Sequence, residues 1–78
     1  MLFRSPHAVV VGAKGTVFVA DRENSRIQIF DADGNFLREW THLGSPWGLA
    51  FGPDGNLYVA AGRDNRILKV DADRKSVV

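Results

Sequence analysis

The sequence repeats itself after forty residues, and this internal repeat dictates which folds are open to the chain. Residues 6–38 align with residues 46–78 without a gap, and ten of the 33 aligned pairs are identical. In the first copy the identical positions are Pro6, Gly12, Gly15, Val19, Ala20, Arg26, Ile27, Asp31, Ala32 and Asp33. Self-similarity at a fixed period is typical of repeat architectures, so one structural unit is expected to occur twice.

Each copy contains four short apolar runs with the length and composition of β-strands. The runs are rich in Val, Ile, Leu and Phe, and none continues with a helical period. The predicted strands are residues 7–11, 16–20, 26–30 and 35–40 in the first copy, and 47–51, 56–60, 66–70 and 75–78 in the second. We therefore predict an all-β chain with essentially no helix.

Glycine marks the predicted turns between these runs. The dipeptides Lys14-Gly15, Asp33-Gly34 and Asp54-Gly55 each separate two strands. Glycine tolerates the positive φ that tight hairpins require, and Asp also favours turns. Consecutive strands are therefore expected to be antiparallel.

Four antiparallel strands in about forty residues form one blade of a β-propeller. The sequence then divides into a first blade with an N-terminal linker, residues 1–45, and a second blade, residues 46–78. A small eight-stranded sandwich or barrel is the alternative all-β interpretation. Helical repeats of similar length do not fit the apolar runs.

Composition and charge argue against several classes of protein. Ten Lys and Arg against nine Asp and Glu leave no basic excess for nucleic acid, and there is no cysteine for a disulfide. No apolar run approaches the roughly 20 residues of a membrane span, and the stretch from Met1 to Pro6 lacks the core of a signal peptide. We expect a soluble chain and no membrane partner; its cellular location is not indicated.

The residue pattern of the repeat resembles that of NHL repeats. In the first copy the resemblance lies in residues 6–11, 14–21 and 24–30, and in the second it lies in residues 46–51, 54–60 and 65–70. It covers nearly the whole chain. It implies a propeller fold, usually with six blades, and it implies much less about function because this fold hosts binding proteins and enzymes alike.

Two blades make a third of a six-bladed ring, which bears on the expected partners. A blade packs against neighbours on both faces, so two blades alone leave two apolar faces exposed. Head-to-tail association of copies would cover them: three chains would close a six-bladed homotrimer, and four would close eight blades. A piece of a longer propeller is the open alternative.

One blade also resembles the peptidyl-α-hydroxyglycine α-amidating lyases, through Pro6-His7 and Ala20-Asp21-Arg22. That resemblance implies an axial zinc ion held by three histidines from alternate blades, and an arginine in the active site. The matching positions here are His7, as a metal ligand, and Arg22, as a catalytic residue.

The proposed threefold symmetry supports a metal site independently of this resemblance. A trimer would place three copies of His7 around one axis, and three imidazoles suit a catalytic zinc ion with an open fourth position. Nickel, copper or cobalt would also accept such donors. The alternative is that His7 lines a wet channel without metal.

Other features weaken the enzyme interpretation. The lyases use a tyrosine in a loop whose equivalent here, residues 61–65, has none, and their disulfides are impossible without cysteine. Asp21, Asn24 and Arg26 are interpreted as structural residues, with the Arg26 side chain pairing with Asp21 to hold the loop. Arg22 has no duplicate, because Gly62 occupies the equivalent position.

Three functions remain in competition. The favoured hypothesis is a self-assembling scaffold or binding module whose channel takes a metal or small ligand, with Trp47 as a channel wall or stacking surface. The second is a zinc-dependent lyase-like enzyme that uses His7 and Arg22. The third is a rim that binds protein or RNA, although the balanced charge makes nucleic acid an unfavoured partner.

Overall fold

The computed structural model describes residues 6–41, 44–62, 66–71 and 76–77, and it describes the side chains of these residues except those of residues 6, 7, 76 and 77. Every regular element in this part of the chain is a β-strand. The strands are β1 (Pro6–Val11), β2 (Val17–Asp21), β3 (Arg26–Phe30), β4 (Phe36–Trp40), β5 (Pro46–Phe51), β6 (Leu57–Ala61), β7 (Arg66–Asp71) and β8 (Ser76–Val77). The all-β prediction is confirmed, and most strand ends lie within one residue of those predicted.

The strands form two antiparallel sheets in chain order. The first sheet is β1-β2-β3-β4 and the second is β5-β6-β7-β8. The predicted hairpin glycines adopt positive φ, with values of 81° at Gly15, 88° at Gly34 and 82° at Gly55. This left-handed backbone carries no steric penalty at glycine, which is why these positions turn the chain tightly.

The turn between β3 and β4 is held by one carboxylate. Asp31 accepts hydrogen bonds from the backbone N–H groups of Asp33 and Asn35, both at 2.9 Å, and from the Asn35 side chain at 3.0 Å. These donors, the Asn35 N–H first, lower the pKa of Asp31, because they favour the ionised carboxylate. The turn is thus specified locally by aspartate, glycine and asparagine.

The two sheets meet along their first strands. Contacts between the sheets involve β5 of the second sheet with β1 and β2 of the first. Buried side chains of both sheets fill the space between them. This arrangement of two four-stranded sheets is that of adjacent propeller blades, with β1 and β5 innermost.

Each sheet has two faces, because side chains alternate along a strand and residues paired in register share a face. We call one the leading face and the other the trailing face. The leading face carries Ala8, Val10, Phe18, Ala20, Ile27 and Ile29 in the first blade, and Gly48, Ala50, Tyr58, Ala60, Ile67 and Lys69 in the second. The trailing face carries Val9, Val11, Val17, Val19, Gln28 and Phe30 in the first blade, and Leu49, Phe51, Leu57, Val59, Leu68 and Val70 in the second.

The core lies between the leading face of the first blade and the trailing face of the second. Its buried members are Phe18, Ile27, Ile29, Trp40, Leu57, Val59, Ala61 and Val70. Phe18 packs edge-on against Phe51 with ring centroids 5.6 Å apart, and its centroid is 5.8 Å from that of Trp40. The blades therefore associate head to tail, with unlike faces in contact.

Among the residues that the structure describes, no helix is long and apolar enough to cross a lipid bilayer.

Candidate functional site

The starts of the two innermost strands share one irregularity, and it falls on two predicted site residues. In β1 the pairing shifts between Pro6, opposite Asp21, and Ala8, opposite Ala20. In β5 the same shift separates Pro46 from Gly48. His7 and Trp47 are the inserted residues of these two β-bulges, which re-aim side chains near the ends of strands.

The two bulge residues differ in what the structure describes of them. The indole of Trp47 is partly open to solvent, with 44% of the residue exposed, so it is available for stacking. The side chain of His7 lies outside the described part of the chain, so its role as a metal ligand stays a prediction. The described residues contain no group of three His, Cys, Asp or Glu that could hold a metal ion.

The loop between β2 and β3 is organised by a buried carboxylate. Asp21 is fully buried, and its Oδ2 accepts hydrogen bonds from Asn24 Nδ2 and Arg26 Nε, both at 3.0 Å. Arg26 also reaches Glu39 of β4 at 3.5 Å. The predicted pairing of Arg26 with Asp21 is confirmed.

Arg22 lies at the beginning of this loop, next to Asp21, and is exposed. Its backbone carbonyl accepts a hydrogen bond from the N–H of Ser25 at 3.0 Å, and Ser25 has a φ of 51°. Because Asp21 pairs with Pro6, Arg22 and His7 belong to the same end of the first blade. A catalytic role for Arg22 stays a prediction.

The linker between the blades is attached to loops of both blades at this end. The Ser25 and Ser45 hydroxyl oxygens lie 3.1 Å apart, and the N–H of Gly62 donates to the carbonyl of Ser45 at 3.0 Å. Pro46, which follows, is fully buried. The starts of β1 and β5, the β2–β3 loop and Gly62 therefore lie at one end of the molecule.

The opposite end of the second blade holds a polar network that was not predicted from the sequence. Asp54 Oδ2 accepts a hydrogen bond from the Tyr58 hydroxyl at 2.8 Å and lies 3.3 Å from Lys69 Nζ. Its Oδ1 accepts from the backbone N–H of Asn56 at 3.0 Å. Tyr58 on β6 is paired with Lys69 on β7, and this pairing cannot be deduced from the spacing of the two residues in the sequence.

This network shifts two ionisation equilibria. The hydrogen bond from Tyr58, followed by that from the Asn56 N–H, holds the pKa of Asp54 well below its usual range. In return, donation to Asp54, together with desolvation and the negative charge of Asp54, raises the pKa of Tyr58. At neutral pH the carboxylate is ionised and the phenol is protonated, so the hydrogen bond is fully formed.

Comparison with known proteins identifies the repeat. The family model described as NHL repeat matches residues 3–30. The chain is 41% identical to human NHL repeat-containing protein 3 over 63 residues, which cover 76% of this chain and 18% of that protein. It is 39% identical to peptidyl-glycine alpha-amidating monooxygenase A of Xenopus laevis over 66 residues, which cover 78% of this chain and 7% of that protein.

A solved structure shows the same fold in a larger chain. A Bacteroides caccae protein of unknown function superposes with a TM-score of 0.78 at 22% sequence identity, over 97% of this chain and 27% of its own. The chain thus spans a small part of the relatives that it matches. The family match, these similarities and the two four-stranded sheets identify the chain as a pair of NHL-repeat β-propeller blades.

Proposed function

We propose that the chain is a self-assembling propeller unit, in which blades 1–45 and 46–78 of several copies join head to tail into a binding scaffold. The observation that carries this proposal is the use of unlike faces within the chain. The leading face of the first blade is covered by the trailing face of the second, so one face of each kind is left over. Such a heterologous contact can be repeated between copies until a ring closes.

The two remaining faces present some apolar side chains to solvent, although Val19, Gln28 and Phe30 on the trailing face of the first blade are buried within the single chain. Ile67 on the leading face of the second blade is 64% exposed. Val9 and Val11 on the trailing face of the first blade are 57% and 62% exposed. Their equivalents in the covered interface are Ile27, Leu49 and Phe51, so the same positions already mediate blade packing within the chain.

The proposed occupant of these faces is a second copy of the chain. The repeat places Val11 of one copy at the position of Phe51, and Tyr58 of its neighbour at the position of Phe18. The internal Phe18–Phe51 contact would thus be reproduced between copies as a Tyr58–Val11 contact. Three copies give the six blades usual in such rings, and four would give eight. In a longer polypeptide, further blades of the same chain would cover these faces.

Native mass spectrometry and light scattering test the assembly. The expected result is three times the mass of the chain, and Ile67→Asp should reduce it to one chain, because a carboxylate cannot be buried unpaired against Val9 and Val11. Thr41→Asp, which adds the same charge at an exposed position outside both faces, should leave the trimer intact.

The outcomes separate the alternatives. A tetramer would preserve the head-to-tail pairing and replace six blades by eight. A folded monomer at all concentrations, or a trimer that Ile67→Asp does not affect, would overturn the proposed assembly.

A second candidate function is favoured by the similarity to two amidating monooxygenases of Xenopus laevis. In a threefold ring, the three copies of His7 would hold a zinc ion and Arg22 would anchor the substrate. Zinc in such a site supplies Lewis acidity. The support for this candidate is the equivalent position of His7 and Trp47 at inner-strand bulges, which alternates histidine and tryptophan around the ring.

Metal analysis tests this second candidate separately from assembly. We expect one zinc ion for three chains after dialysis, and its loss in His7→Ala without a change in native mass. A trimer with no bound zinc at intact His7 would remove the metal site and leave the scaffold.

A further inference from the structure

A groove opens between the two blades at the end of the molecule away from His7 and Arg22. Its volume is about 560 Å³, within the range of roughly 300–1,000 Å³ typical of small-molecule sites. It is bordered by the β1–β2 and β5–β6 turns and by β4. The site residues predicted from the sequence do not line it.

The apolar part of the groove is formed by aromatic rings from both blades. Phe18 and Phe51 line it, and their edge-on packing at 5.6 Å belongs to the interface between the blades. Leu37 adds an exposed apolar side chain from β4. Because Phe18 is only 3% exposed, Phe51 and Leu37 provide the apolar surface that a flat ligand could contact without disturbing the core.

The charged side chains of the groove differ in the contacts that they make within the chain. The two acidic residues of the groove are Asp54, whose carboxylate contacts Tyr58 and Lys69, and Asp71. Its two cations, Lys14 and Arg38, have no ion pair or side-chain hydrogen bond among the described residues. The lining is thus neutral overall, but its two cationic side chains are available to a ligand.

We propose that this groove binds a small aromatic carboxylate. The planar guanidinium of Arg38, which is half-buried, can donate two parallel hydrogen bonds to a carboxylate, and Lys14 adds a second positive charge at the rim. The ring of the ligand would occupy the apolar part beside Phe51 and Leu37. Neither the scaffold proposal nor the zinc candidate assigns a ligand to this position.

The groove belongs to the interface within one chain and not to the repeat in general. The position of Lys14 in the second blade is taken by Asp54, and that of Phe18 by Tyr58. The equivalent groove between two copies would therefore lack the cation at the turn. One site for each chain follows, whether the chain is a monomer or a ring member.

Calorimetric titration with 2-naphthoate tests the proposal, with neutral 2-naphthamide as the matched ligand. We expect saturable binding of one naphthoate for each chain, weakened by added salt, and binding of the amide at least about fivefold weaker, as for loss of one partly exposed charge contact. Arg38→Gln and Lys14→Gln should each weaken naphthoate binding by about the same factor. Arg66→Gln, which removes one exposed cation at the other end of the second blade, should leave it unchanged.

Three results would overturn the proposal: equal affinity for acid and amide, equal effects of Arg38→Gln and Arg66→Gln, or no saturable binding up to millimolar naphthoate. The same titration on Ile67→Asp separates this inference from the assembly proposal. Binding that persists in that variant shows that the groove acts without the ring.

Discussion

The leading faces of the two blades occupy equivalent positions in the repeat, yet one is buried and the other is open. In the first blade Phe18 and Ile29 lie in the core, whereas in the second Tyr58 and Lys69 stand at the same positions and reach Asp54. Apolar side chains are thus used on the face that the chain itself covers. Side chains with polar tips stand on the face that the chain itself leaves open, where Tyr58 and Lys69 both contact Asp54.

The largest difference is expected at the isoleucines of these faces. Ile27 is fully buried and its equivalent, Ile67, is 64% exposed. Ile27→Ala should lower the free energy of unfolding by about 2–5 kcal/mol through lost burial and a cavity. Ile67→Ala should change it by less than about 0.5 kcal/mol in the dissociated chain. Urea unfolding at low protein concentration measures both, and equal losses would contradict the assignment of one face as covered and the other as open.

The buried carboxylate of the first blade distinguishes its loop from that of the second, where Ala61 stands at the same position. Asp21→Ala removes the acceptor of Asn24 and Arg26 and should reduce the free energy of unfolding by about 1.5–3 kcal/mol. Asp33→Ala, in an exposed turn, is the control and should cost less than about 0.5 kcal/mol. The comparison fails if both variants unfold at the same urea concentration.

The turn glycines Gly12 and Gly52 offer a second matched pair. A Cβ atom at Gly52 would overlap the ring of Tyr58, whereas one at Gly12 would make an ordinary contact of 3.4 Å with Phe51. Gly52→Ala should therefore destabilise the chain by about 1–3 kcal/mol and displace Tyr58 from Asp54. Thermal unfolding should show a smaller loss of stability for Gly12→Ala than for Gly52→Ala. The reverse order would mean that the Tyr58 ring moves aside at no cost in stability.

The smallest effect concerns the polar network on the open leading face. Because the pKa of Asp54 is lower in the folded chain than in the unfolded one, its contribution to stability is present above about pH 4 and is lost as the pH falls towards the lowered value. Tyr58→Phe removes the main cause and should raise the pKa of Asp54 towards its ordinary value. Carbon NMR of the Asp54 carboxyl follows this titration, with Asp31 as an internal reference that the variant should not move.

The strands and turns could be predicted from the sequence because their signals are local. An apolar run between Ser25 and the Asp33-Gly34 turn placed β3 at Arg26–Phe30, and the pairing of Arg26 with Asp21 followed from a short loop. The network of Asp54, Tyr58 and Lys69 was missed, because Tyr58 and Lys69 meet only through the register of β6 and β7. The groove was missed for a related reason. Lys14 and Arg38 of the first blade line the same groove as Phe51 of the second blade only when the two blades pack.

The sequence by itself determined that the chain consists of two copies of one four-stranded antiparallel unit, since the period of forty residues and the turn chemistry act within each copy. Only the tertiary structure decided which faces meet. Both blades carry the same alternating pattern, and the polar tips of Tyr58 and Lys69 do not by themselves show which face of a blade meets its neighbour. That choice depends on packing between residues far apart in the chain. The trailing face of the second blade covers Phe18, Ile27 and Ile29, whereas Ile67, on the leading face of the second blade, stays exposed.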